Sequence, residues 1–186
     1  MMEVSKEVRT NTSAVAAVEF SVAAKEKLTK LLAKYEIPQS ALLPALYIAQ
    51  EEFGFLSPAV LIAVAKILNV PPALAFESAS FYTMFKKQDM GKWCLQVCNN
   101  VTCTMMGSEE LLQVVKEEIG LVPGQVGEDK VFSLLCVQCL GSCDTAPVVQ
   151  VNDDYIEKLN PEKFRQFLRA LKQLPENASP QEALKV

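Results

Sequence analysis

Lys86-Lys87-Gln88-Asp89-Met90-Gly91-Lys92-Trp93-Cys94-Leu95-Gln96-Val97-Cys98 is where this chain changes period. Before it, apolar residues recur every three to four positions, as on one face of a helix. From Trp93 onward Trp93, Leu95 and Val97 alternate with Cys94, Gln96 and Cys98, as on a strand. The fold class is therefore read as α+β: an N-terminal antiparallel helical bundle followed by an α/β domain, with the polar stretch 86–91 between them.

Behind the junction, four helices are expected. Leu28, Leu31, Leu32 and Tyr35 stand at helical spacing in a run that ends before Pro38. Ser40 is placed to cap a second helix carrying Leu43, Leu46 and Phe53, with Gly54 as its stop. Ser57-Pro58 reads as a cap followed by proline at the first helical position, opening a helix through Val60, Leu61, Val64, Ile67 and Leu68. A fourth starts at Pro71-Pro72 and runs into Ser80-Phe81-Tyr82-Thr83. Residues 53–76 hold only Lys66 as a charge, but Ser57-Pro58 and Asn69-Val70-Pro71-Pro72 cut them too short to cross a bilayer.

Ahead of the junction, residues 93–98 read as a strand, 98–107 as a loop, and 109–119 as a helix with Leu111, Leu112, Val115 and Ile119 inward. Strands over 131–137 and 148–151 follow, then a turn at Asn152-Asp153-Asp154. Asn160-Pro161 opens the last helix, on which Phe164, Phe167, Leu168, Leu171 and Leu174 make one apolar stripe and Leu159 can staple onto Phe164. The order β-α-β-β-α suits a small sandwich of thioredoxin type.

The chemistry lies in the cysteines. Cys98-x₄-Cys103 is followed, thirty-five residues later, by Cys139-x₃-Cys143 in the string Cys139-Leu140-Gly141-Ser142-Cys143-Asp144-Thr145-Ala146-Pro147. Each iron of a [2Fe–2S] rhomb takes two thiolates, so two pairs of cysteines match one rhomb. Gly141 lets the backbone approach, and N–H groups of a small-residue loop can donate to sulfur. An all-cysteine cluster of this kind is expected at a potential of roughly a few hundred millivolts negative. The chain has no histidine, which removes mixed Cys/His zinc sites, Rieske-type ligation and a histidine general base.

Rival readings of the same residues are a structural zinc Cys₄ site, which would usually show C-x₂-C knuckles in both halves, and a thiol–disulfide pair Cys136-x₂-Cys139, which would open a helix. Cys94 and Cys136 stand outside the two pairs and read as small buried hydrophobes. Asp144 and Glu51-Glu52 read as solvated carboxylates. There is no G-x-G-x-x-G, no Walker loop and no nucleophile elbow, so no nicotinamide or flavin site is expected in the chain.

Composition bounds the rest. The chain has 186 residues, half of them apolar, 22% charged, with a net charge of −4. That is a folded globular protein, and without a Lys/Arg stripe it offers no surface for nucleic acid. Glu3, Glu7 and Glu19, with an apolar stretch of only 14–18, do not make a secretory or mitochondrial leader; the expectation is a cytoplasmic protein with reduced cysteines.

These residues resemble the thioredoxin-like [2Fe–2S] subunit of NADH:quinone oxidoreductase (respiratory complex I) and of related NAD(P)-linked hydrogenase and formate dehydrogenase diaphorase modules. The resemblance rests on Ala49-Gln50-Glu51-Glu52-Phe53-Gly54-Phe55-Leu56-Ser57-Pro58, on Val70-Pro71-Pro72 with Phe81-Tyr82-Thr83-Met84-Phe85, and on the cysteine pairs with Ala146-Pro147. It implies one [2Fe–2S] cluster, with Cys98 and Cys103 as ligands of one iron and Cys139 and Cys143 of the other. It implies an electron-transfer subunit, not itself catalytic, whose partners are a flavin- and NAD(H)-binding iron–sulfur subunit and a larger iron–sulfur subunit of the same complex. The location follows the complex: the peripheral arm if complex I, a soluble complex otherwise. The organisation it implies is a flexible N-terminal tail over 1–19, a helical bundle over 20–86, a thioredoxin-like [2Fe–2S] domain over 87–175 and a C-terminal tail over 176–186. Two positions depart from the pattern: Gln138 stands where Glu is common before the third ligand, and no histidine stands near Tyr47-Ile48. A free-standing thioredoxin-fold ferredoxin is the alternative function.

Overall fold

Helix caps set the first half of the chain. In the computed structural model, which describes residues 18–175 and 178–185, Ser21 Oγ accepts from the Ala24 N–H at 3.2 Å and starts α1 (Val22–Leu32). Ser57 Oγ accepts from the Val60 N–H at 3.4 Å and, with Pro58 behind it, starts α3 (Pro58–Leu68). Between them lies α2 (Leu42–Phe53), and α4 (Pro72–Phe81) follows the left-handed Asn69 and Val70-Pro71. The cap expected of Ser40 is not formed: Pro38 opens a 3-10 turn, Pro38–Ala41, that contains Ser40, and α2 begins one residue after it. Tyr35 lies past the end of α1 and is exposed, and Ile67 is likewise exposed.

Two compact units divide the chain, Met1–Asp89 and Met90–Val186, each with its own core. In the first, α1 packs on α2, α2 on α3 and α3 on α4. Leu28, Leu46, Leu56, Val64 and Leu68 fill the core, and Ala45, Ala49, Ala65, Ala75 and Ala79 are fully buried beside them. Small side chains at these contacts set how closely the helix axes approach. Gln50 ties the return of the chain: its Nε2 donates to Met84 O at 3.1 Å and its Oε1 accepts from the Lys86 N–H at 2.6 Å, while the Leu56 N–H donates to Lys86 O. Glu51 and Glu52 are exposed as expected; Glu51 pairs with Lys27 and Glu52 accepts from the Ser21 N–H.

In the second unit, β1 (Trp93–Cys98), β2 (Phe132–Val137), β3 (Val149–Val151) and β4 (Asp154–Ile156) form one sheet among the described residues, in the order β2-β1-β3-β4. β1 and β2 are parallel; β3 is antiparallel to β1, and β4 to β3. The crossover from β1 to β2 runs through α5 (Val101–Met105) and α6 (Ser108–Ile119), and α7 (Pro161–Gln173) packs on α6. Trp93, Leu95, Val97, Phe132, Leu134, Val149 and Val151 share a core with Leu111, Val115, Phe164, Phe167, Leu168 and Leu171 of the two helices. Gly91 lies so close to the start of β2 that a Cβ there would stand 2.6 Å from the Phe132 carbonyl carbon.

Local signals placed α7 correctly: Asn160 Oδ1 accepts from the Lys163 N–H at 2.8 Å, Pro161 takes the first helical position, and Leu159 is buried in the core that holds Phe164. Three expectations are corrected. The stretch 98–107 is not all loop, because Asn100 caps the short helix α5. The turn after β3 is only two residues long, with Asn152 left-handed at φ 54°, and the chain returns at once as β4. The expected C-terminal tail folds back: Pro180–Lys185 forms a 3-10 helix whose Ala183 is 4% exposed in the sheet core. The expected tail over 1–19 falls, up to residue 17, outside the described residues.

Candidate iron–sulfur site

Because β1 and β2 are parallel, both end at the same edge of the sheet, with Cys98 level with Val137. That register puts Cys98 at the tip of β1 and Cys139 two residues past the tip of β2. The Asn99 N–H donates to Val137 O at 3.0 Å, and the Cys98 N–H donates to Val148 O at 3.4 Å as β3 approaches. Cys103 arrives from the other direction, on α5, whose Asn100 cap fixes where its single turn begins. Cys143 opens the 3-10 turn Cys143–Thr145, before the cis bond Ala146–Pro147.

The two pairs differ in environment. Cys98 and Cys103 are 2% and 1% exposed and pack with Val148, Leu140 and Ala146; Cys139 and Cys143 are exposed. Burial pushes the Cys103 thiol above its ordinary pKa; a backbone hydrogen bond at Val148 opposes this, while the adjacent Cys98 thiol and the charge of Cys143 add to it. Cys98 on β1 and Cys103 on α5 thus lie together, with Cys143 of the second loop near enough for its charge to be felt at Cys103. Cys139 Sγ accepts from the Gly141 N–H at 3.3 Å, in a loop that Gly141 closes at φ 73°.

The buried Cys103 thiol resists ionisation, since burial and the sulfur of Cys98 beside it both oppose its charge. A cationic centre reverses that balance and deprotonates its thiol ligands outright. The donor set therefore fits an iron–sulfur group bound by four thiolates. Among the described residues, no three Cys, Asp or Glu side chains converge as the ligands of a single ion do. Two thiolates on each of two irons do not require such convergence.

The remaining cysteines lie within the strands rather than past their ends. Cys94 lies four residues back along β1, about 13 Å at the rise of a strand, and is buried. Cys136 sits level with Val97 on β2, and by alternation it faces opposite to Val137. Its half-buried thiol is pushed up by burial, which keeps it protonated and a poor nucleophile. No α-helix opens after Cys139, as a thioredoxin-type Cys136–Cys139 pair would need.

The residues that brace the second loop come from outside it. Tyr155 on β4 donates its hydroxyl to Leu140 O at 2.7 Å. Glu157 accepts from Ser142 Oγ at 2.6 Å and from Thr145 Oγ1 at 2.7 Å. The Lys158 N–H donates to Thr145 O at 2.8 Å, and the Leu159 N–H to Pro147 O at 3.4 Å. The one clue was indirect: two hydroxyls flanking Cys143, in a loop without carboxylates of its own beyond Asp144, need acceptors from elsewhere.

The model of the thioredoxin-like [2Fe-2S] ferredoxins matches residues 28–172. The chain belongs to that family. Like the family, this ferredoxin-type chain carries a [2Fe–2S] cluster. It is 40% identical over 148 residues to an NADH-quinone oxidoreductase subunit of Rhizobium meliloti (strain 1021), covering 80% of this chain and 88% of that one. It is 41% identical over 145 residues to the corresponding NADH-quinone oxidoreductase subunit of Rickettsia bellii (strain RML369-C), covering 76% and 87%. Among solved structures, NAD+-reducing [NiFe]-hydrogenase in its H2-reduced state overlays on 77% of the chain with a TM-score of 0.64 at 22% identity. That likeness is one of fold, and the ferredoxin-type chain spans 24% of the hydrogenase chain. No helix among its described residues is long and apolar enough to cross a membrane.

Proposed function

We propose that this chain is the electron-transfer subunit of a multisubunit NAD(P)H-oxidising or NAD(P)-reducing oxidoreductase, holding one [2Fe–2S] cluster beside a flavin- and NAD(H)-binding iron–sulfur subunit and a larger iron–sulfur subunit. The observation that carries the reading is the 40% identity to a component of NADH-quinone oxidoreductase over 88% of that component's length. In this reading Cys98 and Cys103 hold one iron and Cys139 and Cys143 the other. Residues 20–86 act as an antiparallel helical bundle and 87–175 as the thioredoxin-like domain. The subunit itself is non-catalytic and is not inserted in a membrane; it sits in the peripheral arm of complex I or in a soluble hydrogenase or formate dehydrogenase complex.

When bound, the cluster supplies a one-electron site. The chain's own residues prepare the place for it. Val148, Leu140 and Ala146 shield the Cys98–Cys103 side from water, and the Gly141 N–H is aimed at the Cys139 sulfur. The open Cys139–Cys143 side leaves a short path to a partner.

The test is anaerobic purification followed by iron and sulfide analysis, a visible spectrum, and low-temperature EPR after dithionite. About two irons and two sulfides per chain with an S = ½ signal are expected. Affinity purification from the native host should bring down a flavoprotein with NAD(H) dehydrogenase activity. A cluster-bearing protein that co-purifies with no flavoprotein would favour the soluble ferredoxin instead. A colourless zinc protein would end both readings.

A further inference from the structure

The loop carrying Cys139 and Cys143 has a hydroxyl on each side of Cys143, on Ser142 and on Thr145. Both reach one carboxylate oxygen, Glu157 Oε1, at 2.6 and 2.7 Å, and the two hydroxyl oxygens lie 2.7 Å apart. Each hydroxyl has a single proton. Thr145 Oγ1 also has Ser142 O within reach at 3.2 Å, but Glu157 Oε1 is the nearer acceptor, and a proton directed at it is not left for a sulfur. Oε1 has lone pairs for both, and the two hydroxyls hold Glu157 below the ordinary carboxylate range, so that it carries its charge.

This carboxylate does not stand by itself. Lys158 and Leu159, the next residues, hold Thr145 and Pro147 through main-chain bonds, and Tyr155, two residues earlier, holds Leu140. The segment 155–159 thus grips the loop at three points while Glu157 orients the hydroxyls within it. Iron–sulfur potentials follow net charge and the hydrogen bonds given to the sulfurs, and a donor aimed at sulfur raises the potential. A hydroxyl next to a ligand cysteine that is committed to a carboxylate gives no such bond.

We propose that Glu157 is a positioning residue of the cluster: it captures the Ser142 and Thr145 hydroxyls, keeps them off the sulfurs around Cys143, and with its charge holds the cluster potential low. This rests on the ligand reading above. Two consequences are separable. Glu157→Gln removes the charge but keeps an oxygen acceptor for the hydroxyls. Glu157→Ala removes the acceptor as well and frees both protons to turn toward sulfur.

The experiment is a mediated redox titration, followed by EPR, of the full-length wild type, Glu157→Gln, Glu157→Ala and the double variant Ser142→Ala/Thr145→Ala, with iron and sulfide measured on each. The potential is expected to rise in Glu157→Gln, to rise further in Glu157→Ala with altered g values, and to stay at the wild-type value in the double variant. Equal potentials for Glu157→Ala and Glu157→Gln would overturn the proposal, as would a drop in the double variant, which would mean the hydroxyls already serve the sulfurs. If Glu157→Ala does not retain iron, the double variant and Glu157→Gln decide the matter. A wild type without iron and sulfide is a different failure, that of the cluster reading itself.

Discussion

Cys98 and Cys143 show how differently two residues of one chemical type are held. Cys98 is locked in a strand, bonded through its own N–H to Val148 O, whereas Cys143 stands exposed at the start of a 3-10 turn braced by Glu157. In the proposed ligand set, replacing either thiol by a hydroxyl removes a soft ligand that iron prefers. Cys143→Ser is expected to bleach the visible spectrum or shift its EPR signal, because serine offers oxygen where sulfur is needed. Cys94→Ser is expected to leave the spectrum unchanged and to act on stability instead, by about 1–3 kcal/mol, since it sets a hydroxyl in a buried strand position level with the fully buried Ser133. Visible spectra and urea midpoints of the two variants separate these effects. An unaltered cluster after loss of Cys143 would remove it from the ligand set.

At the scale of elements, the hairpin between β3 and β4 turns on Asn152. Its Oδ1 accepts from the Cys94 N–H at 3.0 Å, its Nδ2 donates to Lys92 O at 3.0 Å, and its φ is positive. Asn152→Ala loses both side-chain bonds and places alanine in a left-handed conformation, for an expected loss of about 2–4 kcal/mol in urea unfolding. The α6–α7 contact is tied by charge: Arg169 grips Glu118 through Nε and Nη2 at 2.8 Å each, and Arg165 bridges Glu117 and Glu118. These guanidinium bonds lower the Glu118 pKa to about 2. A carboxylate depressed in the folded state stabilises fully above its ordinary pKa, and that contribution drains as pH falls toward about 2. Glu118→Gln should therefore lower the thermal midpoint at neutral pH, with the gap to wild type closing in acid and shrinking in salt. A gap independent of pH would show that the network acts by packing alone.

The same scale explains what the sequence could disclose. Ser57-Pro58 and Asn160-Pro161 were legible because a cap is a contact of three residues with its own helix. Ser40 misled because Pro38 had already committed the turn to a 3-10 conformation. α5 has five residues, too few for periodicity to show, and β4 has three, defined by its pairing with β3 rather than by any pattern of its own. In the site, the paired cysteines were legible as spacing. Tyr155 and Glu157 were not, because a hydrogen bond from a segment twelve to fifteen residues away leaves no spacing behind.

For the whole molecule, the division into two units with separate cores means that damage should stay local. Leu46 is fully buried in the helical unit, and Phe164 in the unit that carries the cysteines. Leu46→Ala is expected to cost about 2–5 kcal/mol and Phe164→Ala about 3–5 kcal/mol. The losses should be seen by different probes. α7 backs the sheet whose edge presents Cys98, so a cavity at Phe164 loosens the frame from which the thiols are aimed, and iron should be released at a lower temperature than in wild type. A cavity at Leu46 weakens a core that includes no cysteine, so helical signal should be lost early while the visible absorption persists. Parallel melts followed by far-ultraviolet circular dichroism and by visible absorption distinguish the cases. Coincident loss of both signals in Leu46→Ala would mean that the chain unfolds as one cooperative body, and that the helices are part of what keeps the cluster in place.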